Sequence, residues 1–257
     1  MTPIKGQEHL LRIIKEISGG KYTDDIQELT GPGYPPEIQE LAEAVGLMMV
    51  QIEAREFHLE QLYEKIKTTS LNTVTAVASA LGARDTYTEG HGDRVGIYAE
   101  RLARRIRLPE DEVERIRIAG TLHDIGKIGF SDTIFSNEET RLNGDMMLEI
   151  RCHPQWGHDI LKDLDFLGAS LDYVYSHHER LDGKGYPRGL TADEIPMGAR
   201  ILAVADCFDA MTTDRSYQKG KTPQDAFTIL GELAGPSLDP DLVEAFIDEI
   251  ENNGMAD

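Results

Sequence analysis

His177-His178-Glu179-Arg180-Leu181-Asp182-Gly183-Lys184-Gly185-Tyr186-Pro187 is the most specific string in the chain. Neighbouring side chains on a helix project about 100° apart, so two adjacent imidazoles act together only if two metals, or a metal and a hydrogen-bonding partner, lie between them. The glycines permit tight turns, and Tyr186-Pro187 gives a rigid exit. Outward from this string the series continues with His153, His123-Asp124 and His91 upstream and Asp206 downstream, so that five of the eight histidines belong to it. Imidazole and carboxylate suit first-row transition metals, and this many ligands exceeds what one tetrahedral structural zinc uses.

The 257 residues carry a formal charge of -20, from 46 acidic and 26 basic side chains, which disfavours a DNA or RNA polymer or an anionic membrane surface as partner. An anionic substrate then needs local positive charge, which divalent cations supply. With 40% hydrophobic residues the chain can bury a real core. The two cysteines, Cys152 and Cys207, have no disulfide or zinc-knuckle spacing, so a reducing cytoplasm is expected. No run approaches the length of a membrane span and the first residues lack a signal-peptide layout; the sequence predicts neither a spanning segment nor a secretory route.

The pattern divides near residue 70. Leu10, Leu11, Ile13, Ile14 and Ile17 predict a short amphipathic helix ended by Gly19-Gly20, followed by a connector with Gly31-Pro32-Gly33. Pro35-Pro36 and Glu37 mark a second helix start, after which Ile38, Leu41, Val45, Met48, Ile52, Leu59, Leu62 and Ile66 keep heptad spacing, interrupted by Arg55. Such a pair of helices must bury its apolar face, either in a parallel homodimer or on its own chain. Residues 1–69 resemble a HAMP domain, through Pro3-Ile4, the glycine-rich connector and Pro36-Glu37-Ile38 running to Val45 and Met48. That resemblance implies a signalling linker that joins the chain to a membrane sensor. From 70 to 257 the expectation is all-α, with the clearest helices at Thr73 to Leu81, Val95 to Ile106, Glu112 to Leu122, Met146 to Cys152, Gly157 to Leu164 and Arg200 to Met211. Loops are expected over 126–143, 180–196 and 213–222.

His123-Asp124 alone is weak evidence, because a core histidine paired with a carboxylate is common. Lys127, three residues on, is in reach of a phosphate oxygen held at the metals. Together with the histidine pair and Gly-Tyr-Pro, and with Asp206-x-x-Asp209-Ala210-Met211-Thr212 downstream, residues 70–257 resemble the HD-GYP family of bacterial phosphodiesterases. The resemblance implies an HD-domain helical bundle and hydrolysis of cyclic di-GMP to linear pGpG and sometimes GMP. By the same likeness Asp124 bridges two metal ions, with His91, His123 and Asp206 completing one site and His153, His177 and His178 the other. Iron or manganese suits that donor set, with zinc or nickel able to occupy it. A water between the cations then attacks phosphorus in line.

Some members hold a third metal through a glutamate four residues before the first histidine; Tyr87 stands there, with Asp85 and Glu89 nearby, so two metals are expected. Arg215 matches the family's phosphate-binding arginine, but three places on stands Gln218, and Lys219 follows it. Tyr186 stacks on a guanine or merely closes its loop. Asp209 orients a ligand histidine or Lys127, or caps its helix. His158 is expected towards solvent, His9 and His58 are ordinary linker histidines, and neither cysteine needs chemistry. A related phosphohydrolase of another cyclic dinucleotide or nucleotide, or a noncatalytic nucleotide-binding module, remains the alternative.

Overall fold

The computed structural model describes residues 4–84, 90–135, 144–214 and 219–256, and among these no strand occurs. The chain forms two compact units, Met1–Thr69 and Ser70–Asp257. No helix among the described residues is long and apolar enough to cross a membrane.

In the first unit α1 (Gln7–Ser18) is followed by a 3-10 turn (Asp24–Thr30) and by the start of α2 (Pro36–Arg84). Leu10, Ile13 and Ile17, three and four residues apart on one face of α1, pack with Ile26 and Leu29 of the turn and with Ile38, Ala42 and Met49 of α2. Two expectations are corrected here. The two predicted helices ending at Ile66 and starting at Thr73 are one element, because Lys67 to Asn72 contain neither glycine nor proline to break it. The heptad positions also split: Ile38 is buried and Val45 packs against the unit's own core, whereas Leu41, Met48, Leu59, Leu62 and Ile66 are exposed. Own-chain packing takes up only the beginning of the apolar stripe.

The second unit is built from α3 (His91–Arg105), α4 (Glu110–Leu122), α5 (Asp132–Phe135), α6 (Gly144–Ile150), α7 (His153–Leu161), α8 (Ser170–Ser176), α9 (Met197–Thr212), α10 (Pro223–Leu233) and α11 (Pro240–Asn253). Several start earlier than the apolar spacing predicts, since proline and acidic residues in a first turn extend the helix beyond its apolar stripe: Pro109 precedes α4 and Glu110 opens it, Pro154 lies in the first turn of α7, and Pro196 precedes α9. The expected 126–143 loop contains a 3-10 turn (Ile125–Gly129) and α5. Helices α8, α10 and α11 were not singled out by spacing; Thr222 and Asp239 cap the last two through their side chains.

Two contacts position the site. Helices α3 and α4 touch backbone to backbone at Gly96 and Gly120, where a Cβ on Gly120 would lie 2.7 Å from Gly96 Cα. Tyr98, Phe208 and Phe246 then pack edge to face, with centroids 5.1 to 5.9 Å apart, and join α3, α9 and α11. Each such pair contributes about 0.5–1.5 kcal/mol beyond its buried area.

Candidate metal centre

The series is delivered mainly by helix ends. His91 is the first residue of α3, His123 caps α4, Asp124 opens the following 3-10 turn, His153 begins α7, and His177 caps α8 with His178 next to it. Asp206 projects from within α9. His91, His123, His153 and His177 are all nearly inaccessible to solvent.

The imidazoles are oriented from behind. His123, His153 and His177 each place Nδ1 2.7 Å from a backbone carbonyl three residues earlier, of Gly120, Ile150 and Val174 respectively. A carbonyl only accepts, so each Nδ1 carries the proton and each Nε2 presents a lone pair. His153 Nε2 and His177 Nε2 nevertheless face each other at 3.3 Å, and His123 Nε2 is buried without a hydrogen-bond partner. Lone pairs converging in a dry site require a cation, and this is the test that the residues fit bound metal.

Asp124 lies between two groups. Its Oδ2 is 3.6 Å from His91 Nε2 and 3.5 Å from His123 Nε2, while its Oδ1 is 3.5 Å from His153 Nε2. Asp206 Oδ1 is 3.2 Å from His91 Nε2 and 3.8 Å from His123 Nε2. The ligand atoms fall into two sets with the spacing of a metal site, His91-His123-Asp124 and His153-His177-His178.

The electrostatics suit this. Burial, then the neighbouring imidazoles, hold His177 well below the usual histidine range, and burial pushes His178 down to about 4, so both are neutral ligands at pH 7. Burial works to raise the carboxyls of Asp124 and Asp206, but Lys127 and the imidazoles around Asp124, and the hydrogen bond from His91 to Asp206, outweigh it and keep both ionised. His91 differs: burial is offset by hydrogen bonds to Asp206 and Asp209, which push it up to about 10 in the protein alone. His91 would hold a cation only as the neutral imidazole, so metal binding there would displace its second proton.

Asp209 takes the orienting role towards His91 rather than Lys127. Nearly fully buried, it accepts from His91 Nδ1 at 2.7 Å and from Arg94 Nε at 2.7 Å. Arg94 was not singled out in the sequence; its position three residues after His91, on the same helical face, was the available signal. Lys127 Nζ donates to Asp124 Oδ2 at 2.6 Å, so its ammonium rests on a ligand carboxylate. Tyr186 lies against the site, its ring centroid 4.8 Å from that of His178, and the exposed Arg151 guanidinium is 5.7 Å from the Tyr186 ring. Lys219 is exposed. Arg215, Gln218, Tyr87, Asp85 and Glu89 lie outside the described residues. His158, expected towards solvent, is instead partly buried, its ring centroid 4.9 Å from that of Tyr175. Burial pushes the Cys207 thiol up to about 11, leaving it protonated.

A cavity of about 50 Å³ opens beside His91, Asp124 and Lys127, lined also by Ser79 and Thr121. That volume is about the size of one water or one small ion.

A family model described as an HD domain matches residues 73–242, more than half of the chain. The chain is 36% identical over 203 residues to a cyclic di-GMP phosphodiesterase of Thermotoga maritima, covering 78% of this chain and 54% of that protein. It is 34% identical over 172 residues to the 3'3'-cGAMP-specific phosphodiesterase 3 of Vibrio cholerae, covering 67% of this chain and 37% of that protein. The solved structure of a cyclic GMP-AMP specific phosphodiesterase from V. cholerae shares the fold, with a TM-score of 0.57 at 21% identity over 71% of this chain and 49% of that one. The chain belongs to the HD domain family, and the two relatives just described are named as cyclic dinucleotide phosphodiesterases. It spans about a third to a half of the length of these curated relatives.

Proposed function

We propose that this chain is a metal-dependent phosphodiesterase that opens cyclic di-GMP to linear pGpG. The observation that carries the reading is Asp124, with one oxygen towards His91 and His123 and the other towards His153. In this reading His91, His123, Asp124 and Asp206 hold one ion, and Asp124, His153, His177 and His178 the other. Iron and manganese fit their mixed nitrogen and oxygen donors. When bound, two divalent cations acidify a water and neutralise charge building on the phosphoryl oxygens. Asp209 and the backbone carbonyls aim the imidazoles. Lys127 helps keep Asp124 ionised and stands beside the position of the scissile phosphate. Tyr186 offers a ring face to a base, and Arg215 and Lys219 supply charge for the distal phosphate. The similarity to the V. cholerae protein supports 3'3'-cGAMP as the second substrate reading.

We also infer a parallel homodimer through α2, supported by the exposed Leu41, Met48, Leu59, Leu62 and Ile66. The HAMP-like reading of residues 1–69 rests on their sequence pattern.

The test loads anaerobically purified protein with manganese or ferrous iron and separates the products from cyclic di-GMP, 3'3'-cGAMP and cyclic di-AMP by chromatography. Linear pGpG from cyclic di-GMP, with metal near two per protomer, is expected. Product from 3'3'-cGAMP alone would transfer the reading to that substrate, and tight binding without turnover would make the chain a nucleotide-binding module.

A further inference from the structure

The residue after the histidine pair is a buried carboxylate with an unusual set of partners. Glu179 is only 4% exposed. Its Oε1 accepts from the backbone N–H groups of Arg188 at 2.7 Å and Gly189 at 3.1 Å, and its Oε2 from that of Leu190 at 2.9 Å. Successive amides aimed at one carboxylate meet its charge in place of water. Glu179 is itself fixed to the end of α8, since its N–H donates to the Ser176 carbonyl at 2.9 Å.

The chain between these two ends therefore closes on itself. Tyr186 N–H donates to the His178 carbonyl at 3.2 Å. Gly185 lies so close to the preceding strand of backbone that a Cβ there would sit 2.4 Å from Arg180 N and 2.5 Å from Glu179 Cα. Arg188 donates to Ser176 Oγ and stacks its guanidinium 4.8 Å from the Tyr175 ring. The outcome of this closure is the position of one ring: Tyr186 stands 4.8 Å from His178 and 6.4 Å from His153.

We propose that Glu179 is a positioning residue, gripping the backbone at Arg188, Gly189 and Leu190 so that Tyr186 is seated beside His178 as a platform for a substrate base. The substrate part rests on the phosphodiesterase reading above. Both Glu179 oxygens are taken by the three backbone amides, so its effect passes through the seat of Tyr186 and falls on binding of the base rather than on metal loading or the hydrolytic step.

Wild type, Glu179→Gln, Tyr186→Ala and the double variant, all as full chain loaded with manganese, test this. A glutamine turns an amide N–H₂ towards one or two of the three backbone donors, where no hydrogen bond forms. Hydrogen exchange read by mass spectrometry should accelerate in the peptide containing Arg188, Gly189 and Leu190 while manganese content stays at the wild-type level. KM for cyclic di-GMP should rise roughly tenfold in each single variant, the size of one lost base–aromatic stack, with kcat within a few-fold. The double variant should be no worse than Tyr186→Ala alone. Unchanged exchange, multiplied effects in the double variant, or manganese lost in step with KM would overturn the assignment. If wild type turns over no cyclic dinucleotide, the phosphodiesterase reading fails, and with it the base platform, while exchange still decides whether Glu179 holds the segment. Should Glu179→Gln not fold, Glu179→Asp decides: values between wild type and Tyr186→Ala support the grip, and wild-type values refute it.

Discussion

His91 is held on both ring nitrogens by carboxylates: Asp209 lies behind it at 2.7 Å from Nδ1, and Asp206 lies in front at 3.2 Å from Nε2. Asp209 is anchored in turn by Arg94. Such a carboxylate fixes the tautomer and raises the basicity of the nitrogen that meets the metal. Asp209→Asn should therefore weaken metal affinity or activity by roughly 10–100-fold. Titrating manganese into the metal-free variant measures it, and wild-type affinity would assign Asp209 to packing alone. Asp124→Asn should do more, since both groups of ligands lose their common charge. Turnover should disappear and bound metal should fall in the same preparation, while the melting temperature of the metal-free variant shows whether the fold survives. The imidazoles and carboxylates that the structure gathers were legible residue by residue. Arg94 and Glu179 were not, because each acts on a group distant in sequence: Asp209, 115 residues from Arg94, and the Arg188 backbone, 9 from Glu179.

Helix ends carry most of the site, so the angle and depth at which helices cross decide whether ligands meet. One such close crossing is that of α3 with α4, where Gly96 and Gly120 leave no room for a side chain. His91 lies five residues before Gly96, and His123 three residues after Gly120. Gly120→Ala would place a Cβ against Gly96 Cα and N, at 2.7 and 2.9 Å, and both of those atoms are backbone. The helices must separate, at a cost of about 1–3 kcal/mol. Urea unfolding of the metal-free variant should show that loss, and manganese affinity should fall with it as His91 draws away from His123. A variant of wild-type stability and affinity would mean that the crossing has slack. Spacing alone identified the helices but not this crossing, since a glycine in a helix reads equally as a weak helix former.

At the scale of the whole chain, each compact unit has an apolar core among the described residues, around Ile13 and Leu29 in the first and around Tyr98 and Phe208 in the second. The first leaves a long stretch of α2 with exposed leucines and isoleucine, including Leu59 and Ile66 at about 65% exposure. A helix surface of that kind is stabilised by association with another. Arg55, exposed and in register with Leu41, Met48 and Leu62, interrupts the stripe. Arg55→Leu should tighten self-association in sedimentation equilibrium, whereas Leu59→Glu with Ile66→Glu should weaken it. If association responds and turnover does not, the paired helices are structural only. If neither variant changes association, α2 is not the dimer contact.

The sequence by itself determined the all-α class and the order of the metal-ligating types, because helical spacing and the choice of imidazole or carboxylate are local properties written at each position. It also marked α2 as amphipathic, but not which part of the stripe its own unit would cover. Tertiary structure alone decided that the first turns of the stripe face Leu10, Ile13 and Ile17, that Asp209 stands behind His91, and that Lys127 rests on Asp124. The string from His177 to Pro187 announced its chemistry without its geometry. How its two ends are joined depends on a carboxylate reaching amides beyond the string, and a contact of that kind exists only once the chain has folded back.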